Sequence, residues 1–302
     1  MNKQARQAVT FVTDKLRWMR SNNIWPNGLR YLWTDAFGVV LLVSLYEELG
    51  DRAYLDDAEW LVADVQRVLG RPLGIRIGEE PDRDGQYFHY LTMWLFALAI
   101  LARHLPDYRQ RGIELVRQIH APFLIPGRGI IWKMKEDLSG PYPGTGLGAL
   151  DAFNGYVSYR LLDEKALSSE IADMRELIAM HYADLDITQD LGLGMMLWLT
   201  HFFPTEEWAV AQKQRCLNTL QDMWNPAGYF CREPYLPDSK FAFTNFGVAI
   251  GLQAVGAMQH RVERLNAYFA AYSSGDEYDR AAITHVMACC SRFPGCLLSV
   301  AG

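Results

Sequence analysis

Three carboxylates stand where the sequence passes from loop to apolar helix. They are Asp35 in Trp33-Thr-Asp-Ala-Phe37, Asp84 in Asp82-Arg-Asp-Gly85, and Asp190 in Thr188-Gln-Asp-Leu-Gly192. Carboxyl groups in unlike surroundings divide into a proton donor and a proton acceptor, so this trio supplies candidate acid–base chemistry. A fourth candidate is His89, whose imidazole exchanges a proton near neutral pH with little tuning. Gln86, His89 and Met93 fall at i, i+3 and i+7 and so share one face of a helix predicted over Gln86 to Leu105. Each acid also has a purely structural reading. Asp84 would cap a helix ahead of Gly85, and Asp35 and Asp190 would complement a helix dipole in the first turn, worth about 0.3–1 kcal/mol each. A histidine on an apolar helix is equally a satisfied core residue.

The elements that must position these groups are helices, so the class is all-α. Six amphipathic, charged segments (Lys3–Met19, Ala53–Leu69, Asp107–His120, Glu164–Tyr182, Thr205–Trp224, His260–Tyr272) alternate with six nearly uncharged ones. The second set is Asp35–Leu49, Gln86–Leu105, Gly146–Leu162, Gln189–Phe203, Asn245–Met258 and Arg280–Leu298. A helix apolar all round is buried and one apolar along a stripe lies at the surface, so the alternation predicts an inner and an outer layer. Four inner segments begin with a threonine followed three or four residues later by glycine: Thr34/Gly38, Thr145/Gly148, Thr188/Gly192 and Thr244/Gly247. The threonines are predicted N-caps, and the glycines, with Gly155, Gly194 and Gly251, predict close helix approach. Strand-like alternation is confined to short pieces such as Gly129–Met134. The longest connections, Gly70–Gly85, Leu124–Gly144 and Asn225–Phe243, all precede inner helices and are predicted to roof one mouth. Asp151, Asn154 and Ser158 lie at i, i+3 and i+7 on an otherwise apolar helix, which turns them toward a central cavity.

Composition narrows the partners. The 302-residue chain is 50% hydrophobic, enough for a large core, and is expected to form a single domain over 1–302. Its formal charge of −6 argues against a nucleic-acid-binding face. The most apolar run, Ala36–Tyr46, is too short to span a membrane, and the charged N-terminal segment reads as an amphipathic helix rather than a signal peptide. Five cysteines (Cys216, Cys231, Cys289, Cys290, Cys296) form neither a disulfide frame nor a zinc-type set, so a reduced, cytoplasmic protein without metal or organic cofactor is expected. The oligomeric state is left open.

Six charged helices alternating with six apolar ones, with Leu-Gly-Asp-Arg-Ala-Tyr-Leu-Asp-Asp-Ala (Leu49–Ala58) opening an outer helix, resemble the six-hairpin glycosidase superfamily. Trp33-Thr-Asp-Ala-Phe37 is similar to the Trp-x-Asp-Asp helix start of unsaturated glucuronyl and rhamnogalacturonyl hydrolases. Position 36 is alanine where that pattern has a second aspartate. The resemblance implies an (α/α)6 toroid with parallel inner helices whose N-termini converge on one mouth. It implies a small-molecule carbohydrate substrate, hydrolysed between two carboxyl groups: Asp35 with Asp84 or Asp190. Trp33, Tyr87, Tyr90 and Tyr142 would stack on sugar faces. Gln86, Asp151, Asn154 and Asn245 would bond hydroxyls, and Arg83, Arg232 or Arg280 would hold a uronate carboxylate. Two other readings stand beside this one. N-acylglucosamine 2-epimerases share the toroid, and here His89 and His285 lie on inner helices. A non-catalytic ligand- or protein-binding toroid is the other. Lanthionine cyclases and terpene cyclases are disfavoured, because the cysteines do not provide the zinc set of the former and Asp82-Arg-Asp84-Gly only weakly approaches the acid motif of the latter.

Overall fold

The computed structural model describes residues 3–224 and 242–299. Arg232, a predicted carboxylate holder, and the thiol of Cys231 lie outside the described residues, as does most of the third long connection. Contacts divide the chain into two compact units, Leu29–His181 and Met1–Gly28 with Tyr182–Val300. Among the described residues there are twelve α-helices and four two-residue strands.

After α1 (Lys3–Ser21) the chain enters the 29–181 unit, which holds α2 (Leu32–Leu49), α3 (Arg52–Leu69), α4 (Phe88–Leu101), α5 (Asp107–Phe123), α6 (Asp151–Asp163) and α7 (Ser168–His181). The predicted alternation is visible residue by residue. Every side chain of α2 from Leu32 to Leu45 is buried, whereas α3 buries only the stripe Leu55, Ala58, Leu61, Val62, Val65 and Leu69. Helix α4 packs against both α2 and α6, and each of these three also packs against the helix that follows it in sequence. Asp51 of the Gly-Asp motif caps α3 by accepting from the Ala53 N–H at 3.0 Å, and the preceding Gly50 ends α2 at φ +69.

The second unit holds α1, α8 (Asp190–Phe202), α9 (Glu207–Trp224), α10 (Phe243–Ala254), α11 (Gln259–Ala271) and α12 (Ala282–Arg292). Here the glycines answer for themselves. A methyl group on Gly251 would stand 2.0 Å from the Gly194 carbonyl oxygen, and one on Gly194 2.4 Å from that of Gly247, so α8 and α10 meet backbone to backbone.

Several sequence expectations are corrected. The threonines do not cap helices: Thr34 and Thr244 lie inside α2 and α10, Thr145 bonds the Tyr142 carbonyl in a loop, and Gln189, not Thr188, is the cap residue of α8. The helix predicted from Gln86 starts at Phe88, because Gln86–Tyr87 is strand β1, paired with β4 (Lys133–Met134). The helix predicted from Gly146 starts at Asp151, since Leu147 and Gly148 bridge back to the strand segment 130–131. The last inner helix stops at Arg292; Phe293-Pro294 interrupts it before a 3₁₀ turn at Gly295–Leu298. Strands β2 (Leu124–Ile125) and β3 (Gly129–Ile130) form the other short ladder, in and beside the predicted strand-like piece. Among the described residues no helix is long and apolar enough to cross a membrane, and Cys216, Cys289, Cys290 and Cys296 are buried free thiols.

Candidate active site

The site of the 29–181 unit is assembled by two long connections locked together. Glu136 accepts from Arg71 at 2.8 Å and pairs with Arg76 at 2.7 Å. Gln86, wholly buried, spends its side-chain amide on the Leu73 and Glu136 carbonyls and the Ile75 N–H. That satisfies its oxygen and both donors, so Gln86 is a structural strut and not the sugar-binding group predicted. Gly85 makes the turn into β1 at φ +79, with the Met134 carbonyl and the Lys133 stem so near that a Cβ would clash at 2.6 and 2.8 Å. The β1–β4 register, Tyr87 opposite Lys133, then brings Asp84 against Lys133 and Tyr142 of the 124–144 connection. Asp84 accepts from the Tyr142 hydroxyl at 2.8 Å and from Lys133 Nζ at 3.4 Å. Partial desolvation raises its pKa, but the bonds from Tyr142 and Lys133 and the Lys133 charge outweigh that, holding the carboxyl below its usual value.

Beside this cluster lies an aromatic recess. The Tyr87 ring stacks on Trp132 (centroids 5.1 Å, 11°) and on His89 (5.4 Å, 18°). Trp33 of α2 meets Tyr90 at 5.2 Å and His89 at 5.9 Å. The hydroxyls of Tyr31 and Tyr90 bond each other, and the Arg83 guanidinium lies 4.8 Å over the Tyr31 ring. His89 retains 32% of its side-chain surface, so its ring is partly open to solvent among these aromatics. Opposite it, in the first turn of α6, is Asp151, only 4% exposed, with its Oδ1 3.7 Å from His89 Nδ1. Desolvation pushes the two in opposite directions: His89 down to about 4, Asp151 up to about 8. At neutral pH the pair is therefore an uncharged imidazole facing an uncharged carboxylic acid, a proton acceptor beside a proton donor. Asn154, one turn further along α6, is buried and bonds the Leu150 carbonyl at 3.1 Å.

Asp35 is placed differently from the expectation. It is 1% exposed, pairs with buried Arg30 at 3.4 Å and accepts the Tyr31 N–H at 3.2 Å, while Arg30 reaches on to Asp64 at 3.5 Å. A carboxylate tied in this way fixes the start of α2 rather than meeting a substrate, so the predicted Asp35–Asp84 pair is not the one the recess presents. The group brought together there is Trp33, Asp84, Tyr87, His89, Tyr90, Tyr142 and Asp151. Lys133, Trp132 and Tyr31 join them; Lys133 was missed because it lies on a two-residue strand whose register no period in the sequence announces.

The remaining candidates belong to the other unit. Asp190 is buried in the first turn of α8 and accepts the Leu191 N–H at 2.8 Å. Asn245, also buried, bonds Thr244 at 3.3 Å. Exposed Arg280 donates to the Asn22 carbonyl at 2.6 Å, and His285 bonds the Asp279 carbonyl at 2.7 Å and meets Trp18 edge-on at 4.9 Å.

No family model matches the sequence, and no curated protein sequence does. Solved structures do match. The α-1,6-mannanase GH76A of Salegentibacter sp. HEL1_6 superposes with a TM-score of 0.62 at 12% identity, over 94% of this chain and 98% of that one. Cellobiose 2-epimerase of Spirochaeta thermophila DSM 6192 gives 0.60 at 12% identity, over 89% and 86%. A family 76 glycoside hydrolase from a bovine Bacteroides thetaiotaomicron strain gives 0.57 at 12% identity, over 88% and 70%. Alternating buried and half-exposed helices, together with these superpositions across most of the chain, identify the fold as an (α/α)6 toroid.

Proposed function

We propose that this chain is a carbohydrate-active enzyme that hydrolyses glycosides, with Asp151 as the proton donor to the leaving oxygen and Asp84 as the ionised carboxylate. The observation that carries this reading is the divergence of the two acids: burial holds Asp151 protonated to about pH 8, while Tyr142 and Lys133 hold Asp84 ionised. Glycoside hydrolysis asks for that division of labour. Trp33, Tyr87 and Tyr90 offer flat apolar surface to pyranose faces, and half-exposed Arg83, 40% accessible, is placed to meet an acidic substituent such as a uronate. The mannanase and the epimerase that share the fold both act on sugars, as their names say, which favours this substrate class.

A second reading is favoured by one observation, the uncharged His89 ring open to the recess and faced by a protonated acid. That pair would remove and return the proton beside a sugar carbonyl, as 2-epimerisation requires. One experiment separates the two. Reducing-end release, and deuterium uptake at C2 in D2O, are measured over a panel of neutral and uronic oligosaccharides with wild type, Asp84→Asn, Asp151→Asn and His89→Ala. Hydrolysis lost in both aspartate variants supports the first reading. C2 exchange lost in His89→Ala, with Asp84→Asn still active, supports the second, and neither activity on any substrate would leave a binding toroid.

A further inference from the structure

The Met1–Gly28/Tyr182–Val300 unit contains a cavity of about 120 Å³ bordered by α1, α10, α11 and α12, separate from the aromatic recess and independent of the function proposed for it. Phe11, Phe246, Phe269 and Tyr272 give it aromatic walls. Lys15 and Arg292 also line it, both half-buried, and neither pairs with a carboxylate among the described residues. Arg292 donates to the Asn266 carbonyl at 2.8 Å, which leaves its charge unmatched. Lys15 is faced by the thiol of Cys289 and the imidazole of His285, uncharged groups, and lies 4.3 Å over the Trp18 ring. The one carboxylate in the lining among the described residues, Asp279, is already occupied by Ser273 Oγ at 2.6 Å and the Ser274 and Gly275 N–H groups at 2.6 and 2.8 Å. Two cations against one occupied acid leave an excess of one positive charge. Thr284 adds an independent sign: its hydroxyl, in the same lining, is buried with no hydrogen-bond partner among the described residues.

Cations drawn out of water without a counter-ion are unfavourable, and burial already holds the Lys15 and Arg292 pKa values below their ordinary levels. An anion would relieve both. The volume approaches the roughly 150 Å³ of a cavity that admits benzene, which limits the body of the ligand to about one ring. We propose that this cavity binds a small monocarboxylate with an aromatic or apolar body, its carboxylate meeting Lys15, Arg292 and the Thr284 hydroxyl and its ring lying among Phe11, Phe246 and Phe269.

The test is calorimetric titration of the full chain with benzoate and with benzamide, its neutral counterpart of the same shape. Saturable benzoate binding, at least about tenfold tighter than benzamide, is expected; a difference of that size is about 1.4 kcal/mol. Lys15→Met and Arg292→Met should each weaken benzoate about tenfold or more, and Asp151→Asn should leave it unchanged. Absence of benzoate binding at millimolar concentration, benzamide binding as tightly, or loss of benzoate binding in Asp151→Asn would each overturn the proposal. The benzoate–benzamide comparison needs only the wild-type chain, so it decides even if a substituted chain does not fold.

Discussion

His89 Nδ1 stands 3.7 Å from Asp151 Oδ1, an imidazole at the start of α4 facing a carboxyl at the start of α6. At that separation no hydrogen bond joins them, so each can serve a ligand beside them. Burial favours the neutral form of both, which for histidine is the base and for aspartate the acid. The recess thus stores a donor and an acceptor together without charging either, and the surrounding Trp33, Tyr87 and Tyr90 rings keep the local dielectric low.

Asp151→Asn is expected to reduce kcat on a cleaved glycoside by about 10²–10⁴, the usual range for loss of a general acid. In wild type kcat/KM should fall as pH passes about 8, where Asp151 gives up its proton. A full pH–rate profile checks both. An alkaline limb that persists in Asp151→Asn would assign it to some other group.

Stability should carry the same signature. Asp151 is protonated in the folded chain up to about pH 8 but in the unfolded chain only below about 4. The folded state therefore binds the extra proton, and this contribution declines as pH rises through that window. His89 and His285, held near 4 against an ordinary 6.5, act in the opposite sense, their contribution being lost as pH falls from 6.5 toward 4. By about pH 7.5 a histidine at 6.5 in the unfolded chain is roughly nine-tenths deprotonated, so of these three the aspartate dominates between about 7.5 and 8. Urea unfolding midpoints should fall across that interval, with a slope of at most about 1.4 kcal/mol per pH unit, and Asp151→Asn should flatten it.

The two aspartates of the expected pair should behave unlike each other. Asp35→Ala removes the carboxylate 3.4 Å from buried Arg30, and a broken buried pair costs about 3 kcal/mol or more. Asp84→Asn removes a carboxylate 37% exposed at the recess, so unfolding should hardly change while turnover falls. Chemical denaturation alongside activity separates them, and equal stabilities for the two variants would contradict the assignment.

Gly85→Ala should act on both quantities. Its φ of +79 and the nearby Met134 carbonyl oppose any Cβ, so a loss of about 1 kcal/mol or more is expected, with lower activity because Gly85 joins Asp84 to β1, which carries Tyr87. Unchanged activity at full folding would mean that the β1–β4 ladder does not position the recess.

The helical layers were legible because burial writes a period into sequence: the uncharged run of α2 and the single apolar stripe of α3 need no tertiary information. The glycines of α8 and α10 were legible for the same reason, since an unpaid helix penalty signals a close neighbour. The site was legible only in part. His89, Asp84, Tyr87 and Asp151 announce themselves as polar or aromatic groups where apolar residues are expected. What Asp35 does was hidden, because its partner Arg30 lies in a loop and the burial of both depends on Asp64 of α3. Helix starts at Gln86 and Gly146 were misread because short ladders with 130–134 hold those residues extended, and pairing across tens of residues leaves no local trace.

The most direct test is a carbon-13 NMR titration of carboxyl-labelled aspartate in wild type and Asp151→Asn. One resonance absent from the variant and titrating with a midpoint about 8 would establish the protonated acid at the floor of the recess. If the Asp151 resonance instead titrates near 4, like an ordinary aspartate, the carboxyl is ionised at neutral pH and the proton-donor role assigned to it is wrong.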